Sequence, residues 1–211
     1  KFDEFVELVG ELPWFDFATV LQLTGEPREH LRVRLYEWRK AGKVVSLRRG
    51  MYALAPRYRR AEVQPAALSN HLYTPSYLST HWALSLYGLI PEKSVVYTAV
   101  SSRVPRVFKN DFGTYRYFNV KQSFFFGSRT TLMAGQPVQV AEPEKALLDL
   151  WHLQSGEWDM DRMQEMRFQN RGLVSEERLR GYAEHFSSPR LLRAVACWVQ
   201  LGADEEGTVV L

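Results

Sequence analysis

A single cysteine, Cys197, in 211 residues excludes an internal disulfide and a multi-cysteine zinc site. A reducing cytoplasm is the expected compartment. No uninterrupted apolar run approaches the roughly 18–20 residues of a membrane span, so no membrane partner is expected. No basic-then-apolar leader stands at the front, so nothing signals secretion. G-x-G-x-x-G, a Walker A loop and G-x-S-x-G are all missing. The five histidines, His30, His71, His81, His152 and His185, show no metal-ligand spacing. The expectation is therefore no catalytic residue, no metal and no cofactor.

What is there is ordinary globular stock, 45% hydrophobic and 24% charged, enough for one large or two small domains. The net charge of +3 hides an asymmetry. Residues 1–60 carry 12 Lys/Arg against 8 Asp/Glu, and residues 61–211 carry 15 against 16. Within 28–60 the balance is 11 basic against 2 acidic. A solvated surface usually mixes the signs; a segment this basic is a footprint for phosphates.

The first sixty residues read as helices followed by a hairpin. Phe2, Phe5, Val6 and Val9 share a helical face. Asp16 is placed to cap a second helix, which ends at Thr24-Gly25. Glu26-Pro27 opens a third helix that runs to Ala41 and stops at Gly42. Lys43–Leu47 and Met51–Leu54 read as strands around the Arg48-Arg49-Gly50 turn. This order is that of a winged helix-turn-helix, taken as residues 1–60. At about 100° per residue the third helix turns Leu31, Leu35 and Trp38 to the core. Arg28, Arg32 and Arg39 line one flank; His30, Arg34 and Glu37 lean to the other, with Tyr36 facing out. Such a helix reads base edges in the major groove of double-stranded DNA, while Lys43, Arg48 and Arg49 meet phosphates from the hairpin. An Arg34–Glu37 surface pair is the structural alternative for that arginine.

Residues 57–64 form a polar, basic linker with few apolar residues to tie two units together. Residues 61–211 read as a larger α+β domain with a mostly antiparallel sheet and C-terminal helices. A helix is expected from Pro75 to Gly88, with Leu78, Trp82 and Leu86 in the core and Tyr77, His81 and Ser85 on another face. Strand-like runs follow at 95–101, 115–120, 124–126, 130–133 and 138–141. Helices are expected at about 144–154, 161–169, 175–185 and 189–201, the last stopped by Gly202. Lys145 and Asp149, four apart on an almost wholly apolar helix, are placed to pair. Cys197, among Val195, Ala196, Trp198 and Val199, reads as a buried small residue. Arg103, Arg106, Lys109, Arg116 and Lys121 make a second basic patch, for flanking DNA or another acidic partner if it lies on an exposed hairpin.

Four stretches carry a family resemblance: LRRGMYAL at 47–54, PSYLSTHWALSLYGLIP at 75–91, FFFG at 124–127 and VQVAEPEKALLDLW at 138–151. Together they resemble the AbiEi antitoxins of type IV toxin–antitoxin systems, associated with abortive phage infection. The resemblance implies an autorepressor whose winged helix binds promoter repeats. It also implies that the larger domain counteracts a nucleotidyltransferase-like toxin without a stable complex. Two other readings stay open. One is a winged-helix regulator whose second domain senses a ligand or oligomerises. The other is a metal-dependent nucleotidyltransferase-like enzyme with Glu142, Glu144 and Asp149 as ligands.

Overall fold

The computed structural model describes residues 1–208, the side chains of residues 204–208 excepted. It is an α+β chain with nine α-helices and nine strands among the described residues. The order begins α1 (Phe2–Val9), β1 (Phe15–Asp16), α2 (Phe17–Thr24), α3 (Arg28–Lys40), β2 (Val44–Arg48) and β3 (Met51–Leu54). It continues with α4 (Pro65–Leu72), β4 (Tyr77–Leu78), α5 (Thr80–Leu86), β5 (Val96–Ser101), β6 (Arg106–Asn110) and β7 (Gly113–Asn119). β8 (Ser128–Met133), β9 (Gln136–Ala141), α6 (Pro143–Leu153), α7 (Met160–Glu165), α8 (Glu176–His185) and α9 (Pro189–Thr208) complete it.

The local chemistry of the first helices is as their residues dictate. Asp16 accepts a hydrogen bond from the Thr19 amide at 2.7 Å and starts α2. Gly25 ends α2 at φ 62°, where a side chain would be strained. β1 and β2 flank β3 in an antiparallel sheet of three strands. Phe2, Phe5, Val9, Phe15, Val20, Leu31, Leu35, Val44 and Leu54 form a small core between this sheet and α1–α3.

The second sheet runs β6-β7-β5-β4-β9-β8, with three of its five pairings antiparallel. α6 is its central support, with every residue from Pro143 to Trp151 buried. Trp151, Trp158 and Trp198 cluster beside it. Three indoles bury a large apolar area, and that area is what anchors the C-terminal helices.

The two cores do not divide at the linker. Leu47, Met51 and Ala53 point from the small sheet into the larger core, and Val63 of the linker is buried there too. Strand alternation explains this: Met51 and Ala53 face one way, Leu54 the other. Asn110 donates to the Leu47 carbonyl at 3.1 Å, Gln136 to the Glu62 carbonyl at 2.7 Å. The expectation of few apolar ties across residues 57–64 is thus corrected.

Other expectations are corrected as well. Tyr77 and Leu78 lie not in a helix but in β4, inserted between β5 and β9 after the cis Thr74–Pro75 bond. Tyr77 therefore shares no helical face with His81 and Ser85, and Leu86 is exposed rather than in the core. Residues 124–126 form no strand; a short 3-10 turn at Gln122–Phe124 leads into them. α7 is shorter than expected, α9 continues past Gly202, and Cys197 is half-buried. α4 has no counterpart in the sequence reading.

Candidate nucleic-acid interface

α3 is held by Leu31 and Leu35, both buried, and by Trp38, which packs edge-on against Phe2 and tilted against Phe5. Its outer surface presents Arg28, His30, Arg32, Tyr36 and Arg39, all exposed. Arg32 pairs with Glu29 at 3.2 Å, both of them well exposed, a contact weak enough to be exchanged for a ligand. Arg39 lies over the Tyr36 ring, 5.6 Å from its centroid, and Arg28 over Phe17 at 5.3 Å. Arg32, Tyr36 and Arg39 line a groove against Tyr52 of β3. The helix face and the hairpin thus share one basic, aromatic-lined surface.

Arg34 departs from the expected pattern. It pairs with Glu26 rather than Glu37, and its guanidinium lies 4.5 Å from the Trp38 ring centroid. Only half-buried and so engaged, it braces the N-terminal turn of α3. Lys43 is half-buried as well, with Nζ 4.6 Å from the Phe2 ring centroid. At the hairpin turn Arg49 is exposed and Arg48 half-buried; Gly50 takes φ 79° to close the turn.

The second basic patch is split. Arg106 lies on the β6 face that carries Phe108, opposite Tyr117, and Arg103 precedes it. Lys109 and Arg116 lie on the other face, because Arg116 is directly opposite Val107 and strand neighbours alternate. Lys121 stands apart after β7, near Phe124. Arg103 and Arg106 instead join Arg48 and Arg49 around one cleft, also lined by His71, Tyr73, Thr74 and Phe108. A sequence reading had no signal for this meeting, since the two pairs are remote along the chain.

The stretches behind the family resemblance converge inside the larger core. Lys145 and Asp149 form an ion pair with both side chains wholly buried. Ser79 and Tyr77 both donate to Asp149 Oδ2, at 2.7 and 3.1 Å. Rings of Phe126, Phe186 and Tyr77 surround the Lys145 ammonium at 5.1–5.5 Å. At Gly127, φ 67°, an added Cβ would meet Lys145 Cβ and Cγ at 3.1 Å. Burial pushes the Lys145 ammonium below its ordinary pKa, and the Asp149 carboxylate beside it pulls the other way.

Glu142, Glu144 and Asp149 do not come together as a metal site. Glu142 accepts from the Tyr182 hydroxyl at 2.6 Å, and Glu144 from the Ser175 amide at 2.8 Å. Among the described residues no group of three or more His, Cys, Asp or Glu is placed to hold a metal ion. Nor, among them, is any helix long and apolar enough to cross a membrane. A further cleft, of about 420 Å³, is lined by residues including Asn70, Ser76, Tyr77 and Gln139. Compared with known proteins, the chain matches no family model and no curated protein.

Proposed function

We propose that this protein is a DNA-binding transcriptional regulator in which residues 1–60 act as a winged helix-turn-helix. α3 is the recognition helix. Arg32 and Tyr36 face base edges in the major groove, flanked by Arg28, His30 and Arg39, while Arg49 at the hairpin turn meets phosphate. The observation that carries this reading is α3 itself, whose Arg28, His30, Arg32, Tyr36 and Arg39 stand exposed, with Arg32, Tyr36 and Arg39 lining a groove closed by Tyr52. Arg forks match guanine edges and phosphate oxygens alike. Titrating the full chain with duplex from upstream of its own reading frame, against shuffled duplex, tests it; equal or absent binding to both overturns it.

The wider proposal is an autorepressor that is also the antitoxin of a type IV system, residues 61–211 counteracting a nucleotidyltransferase-like toxin without a stable complex. Its support is the resemblance carried by residues 47–54, 75–91, 124–127 and 138–151. A nucleotidyltransferase-like reading frame beside its own, and co-expression of the two, test it: growth is rescued and the two proteins do not co-elute, whereas no such neighbour or no rescue overturns it. The ligand-sensing alternative has one observation in its favour. Among the described residues Ser76 Oγ is buried without a hydrogen-bond partner, in the cleft it lines with Asn70, Tyr77 and Gln139.

A further inference from the structure

Two basic segments far apart in the chain meet in one cleft of about 370 Å³. The β2–β3 turn supplies Arg48 and Arg49; the loop after β5 supplies Arg103, and β6 opens with Arg106. Tyr73 and Phe108 stand beside them, and among the described residues no carboxylate lines the cleft. The four cations are held by folded elements. The Asn110 bond to the Leu47 carbonyl fastens β6 to the hairpin. Arg103 donates to the Thr74 carbonyl at 3.0 Å, and its guanidinium lies 4.6 Å from the Tyr73 ring centroid. Arg48 donates to the Arg49 carbonyl at 3.1 Å, while its buried Nε has no hydrogen-bond partner among the described residues. The side chains of Arg49 and Arg106 are exposed and make no hydrogen bond or ion pair among the described residues.

Four guanidinium groups with no anion among them repel one another, and an entering anion reverses the sign of that energy. Planar forks with several free N–H donors suit phosphate oxygens best. We propose that this cleft is a phosphate-binding site, and that its phosphate is a backbone phosphodiester of the duplex engaged by α3, which rests on the DNA-binding reading above. The duplex is favoured by continuity. The hairpin that supplies Arg48 and Arg49 also supplies Tyr52 to the groove of Arg32, Tyr36 and Arg39, so the two basic clefts flank one small sheet. The larger unit thereby contributes Arg103 and Arg106 to the DNA surface.

The test uses the full chain carrying Arg49→Gln with Arg106→Gln, both exposed and remote from either core. Duplex affinity is measured across salt concentrations. In parallel, inorganic pyrophosphate at constant ionic strength is added in thermal melts. Two lost phosphate contacts should make the log–log salt slope shallower by about 1.8, at roughly 0.9 per contact. Random and cognate duplex should weaken together, and pyrophosphate should raise the melting temperature of the wild type only. An unchanged slope and unchanged pyrophosphate protection in the variant overturn the site while leaving the α3 reading intact. A wild type that binds no duplex, yet loses pyrophosphate protection on mutation, overturns the duplex as source and leaves a site for a free phosphate-bearing molecule.

Discussion

Lys145 and Asp149, one helical turn apart on α6, pair in the centre of the larger core with no exposed side-chain surface on either partner. Around them Tyr77 and Ser79 satisfy the carboxylate, and three rings enclose the ammonium. Removing one partner strands a buried charge. Asp149→Ala should cost about 3–5 kcal/mol in urea unfolding, and the double replacement Lys145→Met with Asp149→Leu should recover much of it. Equal losses in the single and double variants would show that the pair itself is not what those variants disturb.

Alkali should unfold the protein. Burial raises the phenol pKa values of Tyr77, Tyr115 and Tyr117, and Asp149 adds to the effect at Tyr77. The unfolded phenols ionise near pH 10. Their contribution is complete below that pH and is lost as pH rises above it, because the unfolded chain then releases protons that the folded chain keeps. Lys145 gives the opposite slope but is one group against three. Unfolding free energy should fall from about pH 10 upward. Tyrosinate absorbance that rises fully at pH 11 in a still-folded protein would contradict this.

Leu47 ties the small sheet to the larger core. Leu47→Ala should cost about 2–5 kcal/mol, as buried leucine truncations do. It should also speed amide hydrogen exchange in α6, far from the substitution in sequence. Faster exchange confined to residues 1–54 would mean that the two units open independently.

Arg32 and Arg34 are two residues apart and should behave differently. Arg34 braces Glu26 and Trp38, so Arg34→Ala should lower stability by about 1 kcal/mol and leave sequence preference intact. Arg32→Ala should leave stability nearly unchanged and weaken cognate binding by about 1–3 kcal/mol, relaxing preference at one position. Parallel melting and binding curves on the two variants decide it; matching losses in both columns would sink the distinction.

Much of the N-terminal region was legible because its signals are local. Asp16 and Gly25 announce the ends of α2, and Leu31, Leu35 and Trp38 orient α3. β4 was not legible: two residues carry no alternation, and the spacing of Leu78, Trp82 and Leu86 imitates a helix. α4 was hidden by its small residues, Ala66, Ala67 and Ser69, buried on sides that a polar–apolar stripe would have distinguished. The inward turn of Leu47 and Met51 depends on a partner surface that the hairpin's own sequence does not name. The same holds for the arginine cleft, whose halves meet only when β6 docks on the hairpin.

The most direct test of the central claim is the affinity of the full chain for upstream and shuffled duplex, measured from 50 to about 200 mM salt. Contacts from α3, the hairpin turn and the arginine cleft together predict a log–log slope steeper than about −3 and tighter binding to the upstream duplex at every salt. An affinity that barely changes with salt, or that is equal for both duplexes throughout, would contradict the account.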